Sequence, residues 1–220
     1  MLDLNYEIIR TNRRTLSLSI DKNAKLIVRA PLRMKAETIL KFVKEKEGWI
    51  AKKQEQVKNS ILATKEYSEY SKFMFLGQSY SVVRSDKVGN IELKDALYVP
   101  ITTKNLQKAL KDWLFSLSNA VLEGKINYFS QLLGVRVNSV KFVNSRAKWG
   151  SCDAKQNITL NIKMLMLPQN LIDYIIVHEL SHIKQLNHSQ NFWFEVKKYV
   201  PNYLTLRKTL KQNGFLLNLF

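Results

Sequence analysis

All three histidines of this 220-residue chain fall within eleven positions, His178-Glu-Leu-Ser-His-Ile-Lys-Gln-Leu-Asn-His188. His178 and His182 are four apart, a spacing that stacks two side chains on one helical face and lets them share an ion. Glu179 lies about 100° around the helix from His178. The pattern His-Glu-x-x-His carries a mechanism: two imidazoles bind Zn²⁺, and the intervening glutamate, not itself a ligand, acts on a zinc-bound water. A third protein ligand is then required. His188 is six residues beyond His182, too far along a straight helix rising ~1.5 Å per residue to reach the same ion. The helix is therefore expected to end first. Asn187 would take the left-handed position after its end, Ser189 would cap a new helix starting at Gln190, and His188 would point back from the corner. Glu195 on that next helix is an alternative third ligand, and the thiolate of Cys152 is another.

The element carrying the motif reads as an interior one. From Leu171 to Leu186 the chain is apolar on nearly every side, with Pro168 at the expected start, and a helix apolar all round is a buried helix. Two histidines and a glutamate are costly to bury without partners, and a metal supplies one. Upstream, Val135–Val143 and Asn157–Ile162 read as strands, with a loop through Trp149, Gly150, Ser151 and Cys152 between them. That pair precedes the motif helix directly and is expected beside the metal, with Trp149 on a cleft wall and Arg146 or Lys148 at its mouth. Trp193 reads as a packing residue. Candidate donors to a developing oxyanion are Tyr199, Tyr203, Asn144 and Arg146.

The rest of the chain supplies the scaffold. Leu16–Ile20 and Leu26–Ala30 alternate with period two around an Asp21-Lys-Asn turn and predict a hairpin, and residues 36–59 predict one amphipathic helix. Phe73–Leu76, Tyr80–Val83 and the segment from Ile91 to Val99 predict further strands. Helical spacing then runs from Thr103 to about Leu133, with Gly124 a point of bending. Pro100 is the expected boundary between an N-terminal region, 1–100, of antiparallel strands with one helix, and a second domain, 101–220. The class is α+β.

Composition narrows the function classes. Apolar residues make up 45% of the chain, enough for a core, and no apolar run is long enough to cross a bilayer. The N-terminus lacks the layout of a signal peptide, and a single cysteine gives no disulfide framework, so a cytoplasmic protein is expected. The net charge of +17 divides into +7 over residues 1–100 and +10 over 101–220. Such a field attracts polyanions in a salt-dependent way, so nucleic acid or a nucleotide is a candidate partner of the basic surface; charge of this kind also serves solubility alone.

The runs Arg146-Ala-Lys-Trp-Gly-Ser-Cys152, Ile158-Thr-Leu-Asn161, Asp173 to His182 and Asn187-His-Ser-Gln-Asn-Phe-Trp193 together resemble the YgjP-like metallopeptidase family, itself related to the SprT-like and WLM proteases. Arg13-Arg-Thr-Leu-Ser-Leu, Val28-Arg-Ala-Pro31, Trp49-Ile50 and Phe75-Leu-Gly77 extend the similarity over nearly the whole chain. The resemblance implies a zincin-like second domain with a small sheet and an HExxH helix, one Zn²⁺ per chain held by His178, His182 and His188, and Glu179 as the catalytic residue. The spacing of His188 is that of metzincins, but their helix-ending glycine is replaced by Gln185 and no methionine follows the motif, the last being Met166. A zinc metallopeptidase acting on polypeptide is thus the leading expectation. A metal-dependent phosphohydrolase acting on nucleotides, and a nucleic-acid-associated protease, are the alternatives.

Overall fold

The computed structural model describes residues 6–68 and 72–219, and its contacts divide the chain into two compact units, Met1–Lys65 and Glu66–Phe220. In the first, β2 (Ser17–Ile20) and β3 (Leu26–Pro31) form the expected hairpin, with Leu18 opposite Val28 and Ile20 opposite Leu26. The turn is closed by Asp21, whose carboxylate accepts from the backbone N–H groups of Asn23 and Lys25. An unanticipated strand, β1 (Tyr6–Thr11), lies parallel to β3 on its other side, so the sheet is mixed rather than purely antiparallel. The amphipathic segment is two helices, α1 (Ala36–Glu45) and α2 (Glu47–Ser68), interrupted where Lys46 leaves helical geometry at φ −105° and ψ 10°. Leu26, Val28 and Ala30 from β3 pack with Ile39 and Val43 of α1 and Ile50 of α2 as this unit's core.

The second unit begins with β4 (Lys72–Phe75) and β5 (Gln78–Ser85), joined at Leu76 and Gly77, both with positive φ as a two-residue hairpin turn of matching twist requires. β6 (Glu92–Leu93) and β7 (Leu97–Pro100) complete a four-stranded sheet in which β5 and β7 run parallel. Phe73, Phe75, Leu97 and Val99 share one core with the long helix α3 (Leu106–Leu133), and both phenylalanines pack on Trp113, ring centroids 5.9 and 5.3 Å away. Pro100 therefore lies inside a compact unit, and the division falls at Lys65, because the apolar faces of β4 and β7 are buried by the same core as α3. α3 runs unbroken through Gly124, capped by the side chain of Asn105 and ended by Gly134 in the left-handed conformation.

Three strands follow in the order β8-β10-β9: β8 (Ser139–Val143) parallel to β10 (Asn157–Asn161), and β9 (Gly150–Cys152) antiparallel on its other side. The segment expected as a loop is thus an edge strand. A 3₁₀ turn, Ile162–Met166, leads into α4 (Gln169–Lys184), then α5 (Gln190–Tyr199) and α6 (Tyr203–Gln212). Among the described residues no helix is long and apolar enough to cross a membrane.

Lys163 in the 3₁₀ turn is fully buried, its Nζ donating to the carbonyls of Leu217, at 2.7 Å, and Ser145. Burial, with the Arg146 charge adding to it, pulls its pKa down to about 8. The unfolded chain keeps this proton up to about 10.5. Between those values unfolding takes up a proton, so raising the pH favours the fold. Urea denaturation at pH 7 and pH 10 is expected to show wild type gaining on Lys163→Met across that window, by on the order of 3 kcal/mol. A pH-independent difference between the two proteins would refute the assignment.

Candidate active site

Pro168 precedes α4 with φ −56° and cannot continue a helix backwards, so the element starts at Gln169. From there Leu171, Ile172, Tyr174, Ile175, Ile176, Val177 and Leu180 are buried, as expected for a helix apolar on all sides. His178 and His182 project from the same face, ring centroids 5.1 Å apart.

The helix ends at Lys184, where Gln185 adopts φ −137° and ψ 100°. Asn187 is not left-handed, contrary to expectation: the described non-glycine residues with positive φ are Ala24, Leu76 and Gln156. The chain reverses through the extended Gln185 instead, and the side-chain oxygen of Asn187 accepts from the Ser189 N–H to close the corner. Ser189 occupies the N-cap position of α5 without a side-chain cap. This exit has a chemical consequence. The Gln185 carbonyl lies 3.1 Å from His182 Nδ1, and since a carbonyl can only accept, Nδ1 carries the hydrogen and Nε2 is left with its lone pair.

The reversal returns His188 to the helix, with its Nε2 3.1 Å from His178 Nε2. Ring nitrogens of all three histidines lie within 4.8 Å of one another. Two nitrogens bound tetrahedrally to zinc at 2.0–2.1 Å would be separated by roughly 3.4 Å, so the pair already has the needed spacing. Burial first, then the neighbouring His182, His188 and Arg207, pushes the His178 pKa down to about 3, which keeps the ring neutral as a metal ligand must be. The donor set fits a zinc ion.

Phe192 forms the floor, fully buried, its ring centroid 4.9, 4.5 and 4.8 Å from those of His178, His182 and His188. Trp193 stacks on His188 at 5.5 Å and on Tyr203 at 5.2 Å, with the Arg207 guanidinium 4.8 Å from its ring. Trp193 thus packs, as expected, but what it packs on is the exposed histidine of the cluster. Glu195 does not join the histidines. Its two carboxylate oxygens accept from Lys184 and Lys198, each at 2.6 Å, tying α5 to the end of α4 and so fixing the corner between them. Cys152 also lies outside the cluster, and burial, with the Glu179 charge, raises its thiol to about 11.

Glu179 is 6% exposed, and burial pushes its carboxyl up to about 7, against a small opposing effect of the Lys148 charge. It packs directly against Gly150 of β9. The loop before β9 is pinned by Asn161, whose side-chain amide donates to the carbonyls of Ser145 and Lys148 and whose backbone N–H donates to that of Trp149. Lys148 is therefore held near Glu179, and Trp149 is half-buried against the core. Arg146 is exposed, and its charge is felt at Lys163. Of the candidate oxyanion donors, Tyr203 stands in the aromatic stack beside His188, while Asn144 has its side-chain oxygen buried with no hydrogen-bond partner among the described residues. Phe192, Arg207 and the Gln185 carbonyl were not anticipated. A helical register for α5 would have flagged Phe192, but nothing local marks Arg207, which arrives from a separate helix.

A family model described as YgjP-like, metallopeptidase domain, matches residues 14–213. Among solved structures, the crystal structure of the metallopeptidase zymogen abylysin of Pyrococcus abyssi is similar, with 25% identity over 42% of this chain and 94% of that chain and a TM-score of 0.40. Among curated proteins, none matches the chain.

Proposed function

Since the chain belongs to the YgjP-like metallopeptidase family and is a metal-dependent hydrolase, we propose that it is a zinc peptidase in which His178, His182 and His188 hold one Zn²⁺ and Glu179 is the general base. The observation that carries this reading is the convergence of three imidazoles on one point beside a buried carboxylate, all four on one helix and the corner that follows it. Zinc, when bound, polarises the scissile carbonyl and acidifies water. Glu179 takes the proton of the attacking water and returns it to the leaving amine, and its burial keeps it close to neutral pH in affinity for that proton, as a base that must later act as an acid requires.

An extended polypeptide is the substrate class that suits β9. Among the described residues this strand pairs with β10 alone, and it packs against α4, so its outer side offers a β-augmentation edge alongside the histidine cluster. Lys148 and Trp149 immediately precede that edge and, with Arg146, make the substrate-facing rim. The test is a comparison of substrates with the zinc-loaded protein. Cleavage of denatured casein that stops on adding a chelator and returns with Zn²⁺ is expected, with no phosphate release from nucleoside triphosphates. Phosphate release without casein cleavage would overturn the peptidase reading in favour of the nucleotide one that the +17 charge recommends.

A further inference from the structure

The chain has seven glycines, and Gly150 differs from the others in what its missing side chain leaves room for. Gly77 and Gly134 have positive φ, whereas Gly150 does not, so its backbone suits any residue and its requirement is spatial. A Cβ at position 150 would lie 2.8 Å from Glu179 Cγ, 2.8 Å from its Oε1 and 2.9 Å from its Cδ. Carbon atoms in contact stand about 3.5–4.0 Å apart, so these distances cannot be kept. Gly77 meets Pro168, and the remaining five glycines meet nothing within 4 Å.

Neither element can easily retreat from the other. Gly150 pairs with Leu160 and Ser151 with Thr159, and the preceding loop is fixed by Asn161. On the other side α4 is anchored by Ile175, Ile176, Val177 and Leu180, all buried. A methyl group at position 150 would therefore be accommodated by displacement of the Glu179 side chain.

We propose that Gly150 is a positioning residue, whose lack of a side chain forms the seat that fixes the Glu179 carboxylate between α4 and β9. The inference rests on Glu179 being the base. One strand would then set both the place of the carboxylate and, through its free edge, the place of the substrate backbone, which ties the distance between them to a single rigid element.

The test uses four zinc-loaded proteins: wild type, Gly150→Ala, Glu179→Ala and the double variant. Gly150→Ala is expected to lower the Tm of wild type, and to lower that of Glu179→Ala by almost nothing, because the methyl enters space the carboxylate has left. Equal Tm losses in both backgrounds would overturn the proposal. On casein, Gly150→Ala should retain zinc and keep KM within about twofold while kcat falls by up to about 10²-fold, the scale of a 1 Å misplacement. A raised KM with unchanged kcat would mean that Gly150 only clears room for substrate, and would equally overturn it. If Gly150→Ala fails to fold, the double variant decides: folding with the Tm of Glu179→Ala upholds the seat, and failure to fold removes it. Failure of the base reading shows separately, as turnover retained by Glu179→Gln with the Tm coupling intact.

Discussion

Glu179→Gln is expected to hold zinc as wild type does and to hydrolyse casein slower by about two to four orders of magnitude, the usual worth of a positioned general base. The substitution keeps the shape that packs against Gly150 and removes only the capacity to take up a proton. Glu179 is outside the cluster of ring nitrogens, so metal content should not change. Zinc by atomic emission after gel filtration, set beside initial rates, checks both halves. Turnover comparable to wild type would remove Glu179 from the mechanism, and loss of zinc would make it a ligand instead.

The second large effect concerns the residue that reaches the cluster from outside the helix. His188→Ala is expected to lose zinc on dialysis under conditions where wild type retains it, with affinity falling by more than the about 10–100-fold that removal of an outer-shell partner costs. His188 is exposed, held by the corner at Asn187 and resting on the rings of Phe192 and Trp193, so its loss uncovers a surface and opens no cavity inside the core. The metal-free variant should therefore unfold at nearly the Tm of metal-free wild type, while the rise in Tm that zinc gives the wild type should shrink sharply. Undiminished zinc binding by this variant would return attention to another third ligand.

Much of the site was legible because helical geometry is local. The four-residue spacing of His178 and His182 needs only a helix, and the apolar residues from Leu171 onward announce one. The turn before His188 was legible as a necessity but not in its form. Asn187 is a suitable residue for a left-handed position, yet Gln185 makes the exit in an extended conformation, and the ion pair of Glu195 with Lys184 ties α5 to the end of α4, with Lys198 of α5 itself holding the other carboxylate oxygen. Side-chain preference for a backbone state is weak against such tertiary constraints.

The strands were harder to place. Leu18, Ile20, Leu26 and Val28 alternate cleanly because their hairpin is short-range, and the structure has that hairpin. The parallel pairings of β1 with β3 and of β8 with β10 join strands distant in sequence, and no alternation pattern reveals direction. β9 was concealed further, being three residues long and carrying no apolar alternation. For the same reason Pro100 looked like a boundary: a proline after a strand marks where an element ends, but whether the next element shares its core depends on how Phe73, Phe75 and Val99 meet α3.

What the sequence by itself determined is therefore the arrangement within reach of one helix: two histidines on one face, the glutamate beside them, the buried setting and a third histidine placed past the helix end. These follow from a fixed rise and rotation per residue. Only the tertiary structure decided that Phe192 underlies the rings, that Arg207 and Tyr203 stack on Trp193, and that Glu179 is seated against Gly150, because each of these contacts joins elements whose separation is set by core packing and not by the number of residues between them.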